Sequence, residues 1–205
     1  PQRREDSLTR DRIIEAAIAL LDDSGEDGLT FRALSERLAT GAGAIYWHVA
    51  NKSDLLTAAC DTIIARTMAV ASAGATAEAA LRDLALGMFD AIDDHPWVGS
   101  ALMRAPGELP IIRLVESITR QVHALGTKED ELWAIVSALL NYILGVAGRN
   151  AANGQMAKTR GFVRSDFLDA VSAKWSQLDP QEFPFARSLA GQIRAHDDRA
   201  DFLAG

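Results

Sequence analysis

The sequence contains little cysteine and proline and no excess of glycine. Its one cysteine, Cys60, excludes an internal disulfide and a zinc site built from cysteines alone. A single thiol fits a reducing cytoplasm, which is the compartment we expect. With 6 prolines and 15 glycines in 205 residues, neither a collagen-like nor a disordered chain is expected. The first six residues lack the apolar core of a signal peptide.

Positive charge is also scarce. The formal net charge is −7, and residues 1–57 carry 7 Lys and Arg against 10 Asp and Glu. This balance argues against non-specific binding of polyanions, so contact with nucleic acid must come from a local basic face. The longest uncharged run, Leu132 to Gly148, has 17 residues and includes Ser137 and Asn141. That length is at the lower limit for a membrane span, and a buried or subunit-interface helix is the better interpretation.

Helix-forming residues, by contrast, are plentiful. Ala and Leu abound, and apolar residues recur at three- and four-residue steps without any strand pattern, so the predicted fold is all-α. Caps and breakers place the helix boundaries. The predicted helices cover residues 9–23, 29–39, 42–50, 53–73, 77–94, 98–104, 110–125, 128–152, 164–178 and 184–196, with a polar loop at 153–161. Another helix is expected to begin at Asp201 and to be cut short at Gly205.

Two short helices at 29–39 and 42–50 are separated by a break at 39–41. With the helix at 9–23 in front of them, they form the arrangement of a helix-turn-helix. Such a pair suits DNA because a major groove about 12 Å wide admits one α-helix, while the other helix braces it. The spacing by itself is a weak signal, since many helical proteins contain such turns.

Residues 29–56 resemble the DNA-binding signature of the tetracycline-repressor (TetR) family. The likeness is carried by Ile45-Tyr46-Trp47-His48-Val49, then Asn51-Lys52 and Leu55-Leu56. It is strong over residues 9–60 and weaker beyond, where it depends on His95-Pro96-Trp97, Phe183-Pro184 and Phe202-Leu203.

The resemblance implies a three-helix DNA-binding domain over residues 1–52. A helical ligand-binding and dimerisation bundle would follow over residues 53–205. Such a protein would be a homodimeric repressor that binds a double-stranded DNA operator. A small, mostly apolar effector would release it by moving the helix at 53–73, since a ligand must favour the state that does not bind DNA.

The expected DNA contacts follow from side-chain chemistry and from position in the family motif. Thr30 and Arg32 begin the bracing helix, where a helix N-terminus and a guanidinium favour phosphate. Ala42, Gly43 and Ala44 hold base-facing positions, but they offer only close approach and methyl contact with thymine. The predicted set is Thr30, Arg32, Thr40, Ala42, Gly43, Ala44, Tyr46, Trp47, His48 and Lys52, with Arg3 and Arg4 as a candidate basic arm.

Some of these residues have ordinary structural explanations. Tyr46 and Trp47 are also candidates for core aromatics, Trp47 more so than Tyr46, and His48 for a surface histidine. Ala39 stands where the family usually has glycine. A left-handed conformation there would cost roughly 1 kcal/mol, so either the turn differs or the cost is accepted.

The resemblance also implies a pocket between about Ile63 and Tyr142, lined mainly by apolar groups. Its predicted residues are Phe89, Trp97, Leu102, Met103, Arg104, Ile118, Val122, Trp133, Asn141 and Tyr142, with His123 as a further polar candidate. Ordinary core packing is the alternative for the apolar members. The dimer is expected to form through Leu132–Ala152 and the helix that starts at Asp201. No cofactor or metal is expected, because the family's metal-binding histidine has no counterpart at 98–106.

An enzyme is not expected, because the sequence has no Glu-x-x-His pair, Gly-rich phosphate loop or His-Glu-x-x-His motif. The alternative is a helical small-molecule-binding or scaffold protein without DNA binding, which would leave residues 29–56 unexplained. The operator, the effector, the regulated genes and the sign of regulation are not encoded in recognisable form.

Overall fold

The computed structural model describes residues 8–70, 76–159, 161 and 163–205, without the side chains of Val70 and Arg164. Within these residues it contains eleven α-helices and no strand, which confirms the predicted all-α class. The helices are α1 (Arg10–Gly28), α2 (Phe31–Leu38), α3 (Ala42–Tyr46), α4 (Lys52–Val70), α5 (Ala77–Asp94), α6 (Trp97–Arg104), α7 (Leu109–Ala124), α8 (Glu129–Thr159), α9 (Arg164–Ser176), α10 (Pro184–Arg194) and α11 (Asp198–Ala204).

Two compact units divide the chain, one extending to Gly148 and the other from Arg149 to Gly205. In the first unit α1 packs against α2, α4 and α6, and α4 also packs against α5 and α7. The fully buried side chains of this unit include Ile13, Leu21, Leu34, Ile45, Ile64, Met88, Leu114 and Ile118. In the second unit α9 packs against α10, and the Ser172 hydroxyl donates to the Ala190 carbonyl at 2.7 Å. The predicted division between residues 52 and 53 stays a prediction.

α1 is capped at its start and kinked near its end. The Thr9 hydroxyl oxygen accepts from the Arg12 amide at 3.2 Å, as an N-cap does. Gly25 has φ 64° and ψ −168°, a conformation open almost only to glycine. The break predicted at Ser24-Gly25 is therefore a kink, after which one more turn leads to the buried Leu29.

The turn between α2 and α3 accepts backbone strain at Ala39. Thr30 caps α2 by accepting from the Ala33 amide at 3.1 Å. Ala39 ends the helix in the left-handed region, at φ 50° and ψ 46°, and its amide donates to the Glu36 carbonyl at 3.3 Å. The structure thus decides between the two alternatives: the turn is left-handed at this residue and alanine bears the cost.

Ala39→Gly is expected to raise the free energy of unfolding by roughly 0.5–1 kcal/mol, because glycine adopts this conformation without strain. Part of the gain is offset by glycine's greater freedom in the unfolded chain. Urea denaturation at fixed protein concentration measures the change. Ala65→Gly, on the exposed face of α4, is the matched control and should cost about 1 kcal/mol. Destabilisation by both variants would contradict the assignment of strain to Ala39.

Several helix ends differ from the predictions. α3 stops at Tyr46 rather than residue 50, and α8 runs to Thr159 through the Asn153-Gly154 pair that was predicted to begin a loop. Ala147, Ala151 and Ala157 are all buried, so the apolar face of α8 continues past this pair and packing outweighs the local turn preference. Residues 71–73 of the predicted fourth helix lie outside the described residues, as do Arg3 and Arg4.

Candidate nucleic-acid interface

α3 is a short exposed rod held by buried residues at one side. Ile45 is fully buried and Val49 nearly so, and both pack into the three-helix core with Leu34 of α2. The opposite side is open: Ala42 and Gly43 are exposed, and a Cβ atom added at Gly43 would meet nothing within 4 Å. Burying one side of a five-residue helix fixes its direction and leaves the other side free for a ligand as large as a nucleic acid.

Tyr46 is positioned by an aromatic stack. Its ring lies on that of Phe31, the first residue of α2, with centroids 4.3 Å apart and planes inclined by 14°. The residue is 55% exposed, so the stack holds the ring at the surface rather than in the core. α2 therefore braces α3 through this pair as well as through the buried Leu34.

The core interpretation of Trp47 is wrong. The residue is 90% exposed, because Ile45 and Val49 take the inward positions and the chain leaves the helix directly after Tyr46. His48 is half-buried, and its amide donates to the Ile45 carbonyl at 2.9 Å. An indole that is uncovered within the chain is available for a contact outside it.

The cations near α3 are paired with acids or carbonyls. Arg32 has an 89% exposed side chain and donates to Glu36 at 3.0 Å, one turn along α2. Arg37 pairs with Asp23 at 3.0 Å, and the Lys52 ammonium donates to the Glu26 carbonyl. Such exposed pairs contribute little stability, so phosphate can displace the carboxylates at small cost.

The start of α4 is fixed beside α3. The Asn51 side-chain oxygen accepts from the Asp54 amide at 2.9 Å, and the Asp54 carboxylate accepts from the Ala50 amide at 3.1 Å. This reciprocal cap confirms the predicted helix start at Asn51. It also holds Lys52 in the first turn of α4.

Comparison with known proteins identifies the family to which this protein belongs. The model of bacterial regulatory proteins of the tetR family matches residues 13–59. The transcriptional regulator SCO7222, a TetR from Streptomyces coelicolor, is 47% identical and superposes with a TM-score of 0.87, over 97% of this chain and 94% of that one. The chain belongs to the TetR family. It is accordingly a DNA-binding transcriptional regulator in a family named for a repressor.

Two further relatives extend the comparison of this TetR-family chain. An HTH-type transcriptional regulator from Saccharopolyspora erythraea is 28% identical over 200 residues, which cover 96% of this chain and 83% of that protein. The crystal structure of BioQ with its natural double-stranded DNA operator is 25% identical, with a TM-score of 0.63 over 93% of this chain and 100% of that one.

The residues predicted for a ligand site of this TetR-family protein are divided between core and surface. Phe89, Trp97, Leu102, Ile118 and Val122 are buried, and Tyr142 is half-buried. Met103, Arg104, Trp133 and Asn141 are exposed within the chain. The Trp97 indole N–H donates to Asp22 at 2.7 Å, so this tryptophan joins α6 to α1.

A cavity of about 250 Å³ lies between α4, α6 and the start of α7. Its α4 side is formed by Ser53, Leu56, Thr57 and Cys60. Its other side is formed by Ala101, Leu102, Arg104, Ala105, Glu108 and Pro110. Of the predicted ligand residues only Leu102 and Arg104 line it.

The α4 contribution was missed because the predicted pocket began at Ile63. A signal was present in the sequence: Ser53, Leu56, Thr57 and Cys60 recur at three- and four-residue steps, so they share one face of a helix.

Cys60, in the wall of the cavity, is buried and therefore protonated. Burial raises the pKa of its thiol to about 12, with a smaller contribution from the neighbouring Asp61 carboxylate. Because the thiolate is the reactive form, the thiol in the folded protein is inert at neutral pH. This is the behaviour of a small apolar lining residue.

Reaction of Cys60 with Ellman's reagent at pH 8 is expected to be slower in the folded protein than in urea by roughly a hundredfold or more, because the folded thiol is buried and its raised pKa leaves little thiolate. The absorbance of the released thiolate measures both rates. Rapid stoichiometric labelling of the folded protein would contradict the burial of this thiol.

Two acids of α1 make the contacts with the α6 region. The Asp22 carboxylate oxygen lies 2.7 Å from His95 Nδ1 as well as from the Trp97 indole nitrogen. One turn on, Glu26 accepts from Arg104 and from the Ser100 hydroxyl, the latter at 3.2 Å. The helix in front of the DNA-binding pair is thus hydrogen-bonded to a helix that lines the cavity.

Proposed function

We propose that this protein is a ligand-responsive repressor that acts in the cytoplasm as a homodimer. It would bind a DNA operator through α2, α3 and the start of α4, and a small effector would release it. The observation that carries the proposal is α3 itself, a rod anchored by Ile45 with an open face at Ala42 and Gly43. A helix of this kind fits a major groove.

Backbone approach and phosphate contacts supply most of the proposed DNA binding. Ala42, Gly43 and Ala44 allow the α3 backbone to come close to base edges, with methyl contacts to thymine. Thr30, Arg32, Thr40 and Lys52 bind phosphate, Arg32 by exchanging Glu36 for the DNA. Tyr46, Trp47 and His48 line the end of the rod and contact phosphate or the groove wall.

The uncovered apolar face of α8 supports the dimer. By length and composition α8 is the one helix among the described residues that qualifies as a membrane span, and only 22% of its most apolar window is buried within the chain. Trp133 is 74% exposed. In a dimer-forming family, a second copy that covers this face accounts for these features better than a lipid bilayer does.

The cavity is the proposed effector site. Its lining combines apolar side chains with hydroxyl groups and two charged groups, which can hold and orient a small molecule. Its α4 residues, Ser53 to Cys60, directly follow Lys52 at the DNA-facing end of the same helix. A ligand that shifts α4 at the cavity therefore shifts the element next to α3, and two recognition helices no longer match successive major grooves.

Selection from a pool of random DNA duplexes tests the DNA-binding function without knowledge of the operator. A two-fold dimer is expected to enrich an inverted repeat whose half-sites lie about one helical turn apart, roughly 34–36 Å. Gly43→Glu, which adds a carboxylate to open space on α3, should abolish binding to the enriched duplex. Gly107→Glu adds the same charge to open space in the α6–α7 loop and should not.

Failure to enrich any sequence, with an intact dimer, would instead favour a helical binding or scaffold protein. Enrichment of a single unrepeated site would contradict the two-fold arrangement.

A further inference from the structure

Arg104 contacts both the cavity and helix α1. It lines the cavity, and its guanidinium donates to the Glu26 carboxylate of α1. The Ser100 hydroxyl, one turn earlier in α6, donates to the same carboxylate at 3.2 Å. The arginine side chain is 56% exposed, so the pair is open to exchange with another anion.

Glu26 in turn connects Arg104 with the DNA-facing end of α4. Its backbone carbonyl accepts from the Lys52 ammonium, while its carboxylate accepts from Arg104. The residue directly follows the kink at Gly25. One residue of α1 thus holds both a lysine assigned to operator phosphate and an arginine of the effector cavity.

The charges around the cavity favour one class of ligand. Arg104 is its basic lining residue, and Cys60 is neutral because burial keeps its thiol protonated. Leu56, Leu102 and Pro110 supply apolar surface, and Ser53 and Thr57 supply hydroxyls. The volume, about 250 Å³, lies just below the roughly 300–1,000 Å³ usual for ligand sites, so the ligand is compact.

We propose that the cavity takes a small, mostly apolar carboxylate, whose anionic group pairs with Arg104 in place of Glu26. This proposal rests on the proposed effector-released repressor and names its ligand class. The planar guanidinium fork matches a carboxylate in two parallel hydrogen bonds, which an amide cannot reproduce. The exchange breaks one of the contacts between α6 and α1, and it leaves Glu26 without its guanidinium partner.

Glu108 limits the ligand to a single anionic group. It is the acidic lining residue and precedes the first turn of α7. Its carboxylate repels any second negative charge, so a monoanion with the charge placed toward Arg104 is favoured over a dianion. Glu108→Gln is therefore expected to tighten binding of carboxylates.

Calorimetry on the full chain without DNA tests the ligand class. The probes are benzoate, 1-naphthoate and 4-phenylbutyrate, each with its matched carboxamide and primary amine. The best carboxylate is expected to bind about tenfold or more tightly than its carboxamide, as a charge-assisted pair provides. Carboxylates that bind no better than carboxamides or amines, or that do not bind at all, overturn the proposal.

Three variants test whether the preference for carboxylates over carboxamides depends on the exchange of Glu26 for the ligand at Arg104. Arg104→Gln is expected to reduce the ratio of carboxylate to carboxamide affinity to about one. Glu26→Gln removes the competing anion and should tighten carboxylate binding without affecting the carboxamide. Arg113→Gln breaks a comparable pair, between α7 and Asp61 of α4 at 2.6 Å, and should leave the ratio unchanged. An unchanged ratio in Arg104→Gln, with native circular dichroism, overturns the assignment.

The DNA measurement separates this proposal from the function on which it rests. If the ligand-free protein enriches no duplex yet prefers carboxylates through Arg104, the repressor function fails and the ligand class stands. If it binds an inverted repeat but shows no preference for carboxylates, only the ligand class fails.

Discussion

Replacing Ile45 with alanine is expected to lower the free energy of unfolding by about 2–5 kcal/mol, the usual cost of truncating a buried isoleucine. Ile45 is fully buried and is the one buried residue of α3, so no second anchor within the five-residue helix compensates. Operator binding should fall with it, because α3 is no longer held at a fixed angle. Urea denaturation at fixed protomer concentration measures the stability, since dimers unfold in a concentration-dependent way.

Ile112→Ala is the matched control for this experiment. Ile112 lies on α7 with half of its surface exposed, so the same truncation there should change the free energy of unfolding by roughly 0.5 kcal/mol or less. Equal losses at both positions would mean that α3 is not anchored through Ile45.

Tyr46→Ala is expected to weaken operator binding by roughly 1–3 kcal/mol, which is about 5- to 150-fold in Kd. The substitution removes a ring held at the surface against Phe31 and, with it, the hydroxyl proposed to contact the DNA. The dimer should remain intact, because Tyr46 lies far along the chain from α8 and is 55% exposed. Fluorescence anisotropy with the selected duplex, at one stated salt concentration, measures the affinity.

Tyr46→Phe separates the two contributions of the side chain. Phenylalanine keeps the stack on Phe31 and loses only the hydroxyl, so its affinity for the duplex should fall between those of the wild type and Tyr46→Ala. Equal binding by wild type and Tyr46→Ala would show that the DNA-binding face lies elsewhere on the molecule.

Local signals predicted most of the helices and the family. Thr9, Thr30 and Asn51 each cap a helix through a short-range hydrogen bond, as their positions before apolar runs indicated. The glycine at 25 kinks α1 where the break was predicted. These features depend on neighbours within four residues, and such neighbours can be read from sequence.

The errors occurred where packing in the folded protein decides the outcome. Trp47 is apolar and adjoins Tyr46, yet it is exposed because Ile45 and Val49 already fill the core beneath α3. α8 continues through Asn153-Gly154, because its buried alanines offset a turn preference that is local and weak. The cavity lies nearer the DNA-binding helices than predicted, since α6 packs on the first two turns of α4.

The amino-acid sequence by itself determined that the protein is helical, that α3 begins at Ala42, and that the protein belongs to a family of transcriptional regulators. Folding in three dimensions decided which side of that helix is open, which residues surround the cavity, and that Glu26 is shared between Arg104 and Lys52. The reason is the range of the interactions involved. Caps and turns connect residues a few positions apart, whereas Glu26 and Arg104 are separated by 78 positions and meet only after α1 and α6 have packed.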